Sequence, residues 1–112
     1  MSGSDVDAIN SSGQAPLHRA VWNGDVSCVR DLVKFGAAVD VRDRGGRTPL
    51  HYAAKHGHEL CVRELVTLGA TVDAKTNISW TPLHYAAVSG HVGCIRELVA
   101  FRAAMTAQTM AV

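Results

Sequence analysis

Apolar residues recur along the chain in short bursts at helical spacing, each bounded by proline, glycine or a polar cluster. In the middle of the chain, Leu50, Ala53 and Ala54 make one apolar stripe between Pro49 and Gly57, which predicts a short helix. Thr48 stands where a hydroxyl can accept a bond from an unpaired backbone N–H of the first turn. Pro49 follows at the first helical position, where its missing N–H costs nothing, and Gly57 suits a left-handed end. A second helix is predicted over 59–68, with Leu60, Cys61, Leu65 and Val66 on its buried face, Arg63 and Glu64 in solvent, and Gly69 as its stop. The stretch Val72–Lys75 then leads into the next polar turn.

This pattern is periodic. Pro16, Pro49 and Pro82 lie 33 residues apart, as do Leu17, Leu50 and Leu83, His18, His51 and His84, and Gly24, Gly57 and Gly90. Leu32, Leu65 and Leu98, and Ala37, Ala70 and Ala103, continue the register. Helices of about ten residues are marginal alone in water, and their alanines are too small to enclose a core within one unit. Side-by-side stacking at about 8–10 Å between axes closes the apolar faces against one another. The period therefore predicts a curved single-layer array with contacts between near neighbours.

The phrases Thr48-Pro49-Leu50-His51-Tyr52-Ala53-Ala54 and Thr81-Pro82-Leu83-His84-Tyr85-Ala86-Ala87, together with the steps Gly57-His58 and Gly90-His91, resemble the ankyrin-repeat signature. The resemblance implies an all-α ankyrin-repeat solenoid of helix-turn-helix units with β-turn or hairpin fingers. The units fall at 6–38, 39–71 and 72–105, after a tail at 1–5. Residues 106–112 form a C-terminal tail or the start of a truncated fourth unit, because Ala104–Thr109 resembles Thr71–Thr76. Some positions depart from the pattern. Ala15 replaces the capping threonine and Asp25 the histidine after Gly24, which makes the first unit the most prone to fray. Arg102 replaces a helix-ending glycine, so the last helix either continues or ends with strain. Ser79 replaces Gly46, which predicts a turn of different shape.

Composition narrows the function. The formal net charge of +1 argues against nucleic acid as a partner and against a polybasic membrane anchor. No apolar run approaches the roughly 20 residues that cross a bilayer. Cys28, Cys61 and Cys94 are spaced by the repeat and form no C-x-x-C pair, which excludes a zinc framework and a disulfide scaffold. With no secretory signal at residues 1–7, the chain reads as cytoplasmic or nuclear.

Six histidines raise the question of a metal. Three recur one per unit, and side chains spaced along a stack cannot converge on one ion; the family resemblance implies that they bond turn backbone between units. His56 and His58 flank Gly57 and form the weaker candidate. The cysteines read as small hydrophobes. Phe35, Leu68 and Phe101 read as partly buried packing residues, and Asp40, Asp43 and Asp73 as turn aspartates bonding nearby backbone. No catalytic motif stands out, so no enzyme activity, cofactor, metal or small-molecule substrate is expected.

Positions that vary between copies are those the stack does not dictate. In the resembled family the partner meets the concave side, formed by turn tips and the exposed side of each first helix. Mapped here, these are Ser11, Ser12, Gln14, Trp22 and Asn23 in the first unit, and Arg44, Arg47, Tyr52, Lys55 and His56 in the second. The third contributes Asn77, Ile78, Trp80, Tyr85, Val88 and Ser89. Both tryptophans and both tyrosines fall in the set, with arginines beside them, the types enriched at binding hot spots. The expected function is non-catalytic binding of another protein. The alternative is a piece of a larger ankyrin-repeat protein serving as scaffold or substrate-recruiting adaptor, such as a ubiquitin-ligase adaptor.

Overall fold

Six helices form three consecutive pairs in the computed structural model, which describes residues 8–110, with side chains through residue 104. They are α1 (Pro16–Trp22), α2 (Val26–Lys34), α3 (Pro49–His56), α4 (Glu59–Thr67), α5 (Pro82–Ser89) and α6 (Val92–Met110). No strand occurs among the described residues. Within each pair the helices pack together; between pairs, α3 lies against α1 and α5, and α4 against α2 and α6. First helices thus make one row and second helices the other. Leu17, Val21, Val29, Leu50, Val62 and Leu65 are wholly buried between the rows, with Leu98 close to it.

The start of each first helix is set by histidine. His18, His51 and His84 each accept a bond at Nδ1 from the N–H three residues earlier, at Ala15, Thr48 and Thr81, over 2.9–3.0 Å. An accepting Nδ1 leaves the proton on Nε2. From there His18 donates to the carbonyl of Arg47 at 2.8 Å and His51 to that of Trp80 at 2.9 Å. One ring thereby caps its own helix and clasps the finger of the next unit. Thr48 stands at the N-cap as assigned and forms a capping box with His51; its hydroxyl lies 2.9 Å from His51 Nδ1 and donates to it. In the third unit the Thr81 hydroxyl does accept from His84 N–H, at a long 3.4 Å. At the other end of the pairs, His58 Nε2 donates to the Trp22 carbonyl and His91 Nε2 to that of Lys55. Asp25 occupies the same place in the first unit, where it caps α2 by accepting from Cys28 N–H.

Short turns project between the pairs. In each, a residue 33 positions from its counterparts ties the loop. The side-chain oxygens of Asn10, Asp43 and Thr76 accept the N–H groups two and four residues later, from Ser12 and Gln14, Gly45 and Arg47, and Ile78 and Trp80. The left-handed corner falls at Gly13 (φ 76°), Gly46 (φ 77°) and Ser79 (φ 65°). The expected change of shape at Ser79 is therefore absent. The turn is kept, and serine bears a conformation that glycine adopts freely.

Several packing expectations are corrected. Leu60 is 63% exposed because its position on α4 faces away from α3; Val62 takes the buried place. Phe35 is 66% exposed just beyond α2, whereas Leu68 and Phe101 pack against the core. Asp40 bonds not its own turn but the N–H and hydroxyl of Thr71 at the far end of the same unit. At Arg102 the helix continues, and the segment aligned with the turn Thr71–Thr76 is helical as far as Met110. The tail assigned to 1–5, together with residues 6, 7, 111 and 112, lies outside the described residues.

Candidate functional site

A cleft of about 170 Å³ opens where the first two fingers meet α1, α3 and α5. Eight of the residues expected on the concave side line it: Ser12, Gln14, Trp22, Arg47, Tyr52, Lys55, His56 and Tyr85, joined by His51. Trp22 closes α1 and stacks on His56 at 4.7 Å between ring centroids, with Tyr52 at 5.8 Å. Trp22 is still 47% exposed.

The floor of the cleft rests on a buried charge. The Asp43 side chain has no solvent exposure. Its Oδ2 accepts from the Tyr52 hydroxyl at 2.5 Å and from Arg47 Nε at 2.8 Å, while Oδ1 takes the finger N–H groups. Burial opposes ionisation of this carboxyl, but the bonds from Tyr52 and the Arg47 backbone and the guanidinium charge outweigh it and hold its pKa below the ordinary carboxylate value. Burial, reinforced by the Asp43 bond, pushes the Tyr52 hydroxyl up to about 12. Gln14 Nε2 donates to the same hydroxyl at 3.1 Å, and the guanidinium of Arg47 lies over the Tyr52 ring at 5.7 Å. Tyr52, expected on an exposed helix side, is thus 4% exposed and acts as a keystone. The network behind it was not foreseen: the signal was an aspartate nine residues before a tyrosine, with arginine between them.

The remaining expected residues lie elsewhere. Arg44, Asn77 and Ile78 are exposed at finger tips, where Asn77 donates from Nδ2 to the Arg44 carbonyl and from N–H to that of Gly45. Trp80 packs on Tyr85 and His84 at 5.1 and 5.8 Å. Val88 and Ser89 end α5 in the open. Asn23 lines a separate depression on the far side of α1, with Ile9, Arg19 and Leu32.

A family model described as ankyrin repeats (3 copies) matches residues 1–76 and 17–109. The chain belongs to the ankyrin-repeat family. A search of curated proteins returned no match. Ankyrin repeats are in general protein–protein interaction modules and typically non-catalytic.

The other chemistry-bearing side chains of this ankyrin stack are placed for structure. Burial raises the thiols of Cys61 and Cys94 to about 11 and that of Cys28 above its ordinary value, which disfavours the nucleophilic thiolate. No group of three metal-binding side chains gathers among the described residues. His56 and His58 lie 6.4 Å apart between centroids, and His58 is committed to the Trp22 carbonyl. No helix among the described residues is long and apolar enough to cross a membrane.

Proposed function

We propose that this ankyrin stack recognises another protein through its concave side, with the cleft between the first two fingers at the centre of the contact and no chemistry of its own. The observation that carries this reading is the Trp22–His56–Tyr52 cluster. A large aromatic side chain stands half in solvent against rings that hydrogen bonds and stacking already hold. Preordered aromatic surface loses little side-chain entropy on association, and tryptophan, tyrosine and arginine dominate interface energetics. The finger backbone is likewise tied by its own side-chain bonds. The medium for this encounter is the cytoplasm or nucleus.

Hydrogen–deuterium exchange on the chain with a partner purified by affinity capture tests the reading. Protection is expected in the fingers and in α1, α3 and α5. Protection confined to the exposed faces of α2, α4 and α6 would overturn it.

A further inference from the structure

We propose that the cleft takes an acidic side chain, aspartate or glutamate, from an extended segment of the partner; this rests on the concave-face reading above. Charge is distributed unevenly over the stack. On the outer helices acids and bases pair: Arg30 with Glu64 and Arg63 with Glu97 across units, the latter pair at 2.7 Å. Asp31 and Glu59 are exposed on the same helices. Along the cleft the balance is different. Arg47 and Lys55 are its cations, with Arg44 exposed at the adjoining finger tip. No carboxylate lines it, and the nearest one, Asp43, lies beneath the surface with four donors already on its oxygens.

The cations are available. Asp43 occupies only Nε of Arg47, and the side chain is 36% exposed, so its terminal nitrogens face outward as a two-toothed donor edge suited to a carboxylate. Lys55 is exposed at the end of α3 and has no ion pair among the described residues. A second observation lies in the wall. Nε2 of His56 is buried and has no hydrogen-bond partner among the described residues, an unusual state for a polar atom. The plane of the ring is fixed by its stack on Trp22. An incoming carboxylate would lie between Lys55 and Arg47, and a turn of the His56 ring in its own plane, which keeps the stack on Trp22, would bring an N–H to it. The aromatic walls would cover the methylenes of a glutamate and exclude water, strengthening each charged bond. A flat phosphate-bearing surface is poorly served, because the donors lie within a narrow cleft and the chain's net charge is only +1.

The test uses three pools of fluorescein-labelled, N-acetylated twelve-residue peptides with randomised small and apolar flanks. Their central pairs are Glu-Glu, Gln-Gln or Lys-Lys, and binding to the whole chain is read by anisotropy and by Trp22 emission in Trp80→Phe protein. A single-stranded oligonucleotide is a fourth arm. The Glu pool is expected to bind at least ten-fold more tightly than the Gln pool and to shift the Trp22 emission. Lys55→Glu should abolish that preference without changing helicity, and His56→Phe should reduce it several-fold. Arg96→Glu on α6 should leave it intact. Equal affinity for the Glu and Gln pools, no binding of any pool, or tighter binding of the oligonucleotide would overturn the acidic-side-chain assignment. So would a Glu preference that survives Lys55→Glu. None of these outcomes bears on the exchange experiment above, which tests the concave face independently.

Discussion

The second and third units carry the same seven residues, Thr-Pro-Leu-His-Tyr-Ala-Ala, at 48–54 and 81–87, yet the two stretches live in different surroundings. In α3, Leu50, His51, Tyr52, Ala53 and Ala54 are all buried, because α1 and α5 cover both sides. In α5 only Pro82 and Ala86 are buried, Leu83 and Tyr85 are half-buried, and His84 and Ala87 are exposed. The capping bond from Thr81 N–H to His84 is intact, so local sequence suffices for the helix start. What differs is the clasp. His51 Nε2 reaches the Trp80 carbonyl, and His84 has no following finger to reach among the described residues. A repeat sequence thus encodes an element, while the neighbours decide how much stability that element contributes.

The largest test of this difference is in the leucines. Leu50→Ala should cost about 3 kcal/mol, the middle of the range for a fully enclosed leucine, whereas Leu83→Ala should cost about 1 kcal/mol because its site is already open. Urea unfolding of both variants measures the gap, and equal costs would show that neighbours do not set the contribution. Next come the histidines. His51→Leu strands the Trp80 carbonyl and the Thr48 N–H inside the stack and should cost about 2 kcal/mol; His84→Leu loses only an exposed bond and should cost under about 1 kcal/mol.

Acid should act on the same positions. Burial is the main cause that lowers the pKa of His18, His51 and His56 below the ordinary 6.5. Between 6.5 and those lower values the unfolded chain binds more protons than the folded one, so stability falls as pH drops through that window and is level above it. A melting series from pH 7.5 to 5 should show this fall, and His51→Gln should make it shallower. The smallest effects are expected at the finger corners. Gly46→Ala adds a Cβ at positive φ that would meet the Asn77 backbone and should cost about 1 kcal/mol, while Ser79→Gly relieves the same geometry and should gain about 0.5 kcal/mol. A stabilised Gly46→Ala would remove the equivalence of the two corners.

Much of the architecture was readable from punctuation. Pro49, Pro82, Gly57 and Gly90 mark helix ends through fixed backbone preferences, and these are local properties of the residue itself. The 33-residue period then fixed which elements are equivalent. Contacts that depend on a partner elsewhere in the chain were less legible. Tyr52 and Tyr85 have the same immediate neighbours in sequence, but one has Asp43 beneath it and the other meets a finger in which Thr76 takes that place. Leu60 looked like core because apolar residues crowd α4, and only the stacking geometry selects Val62 instead. At the cleft, residue types singled out side chains that the fold brings together, and the unpartnered nitrogen of His56 became visible only in three dimensions.

Two histidine bonds recur at both junctions between the described units, from His18 or His51 to a finger carbonyl and from His58 or His91 to the end of the preceding first helix. Donor and acceptor of each fastening sit at fixed places in the 33-residue period, so any copy presents one half on each side. Duplicating the segment 39–71 in frame would give the extra copy matching attachment points at both borders. Length in such a chain is therefore open to change by simple gene duplication, leaving the recognition surface free to diverge copy by copy.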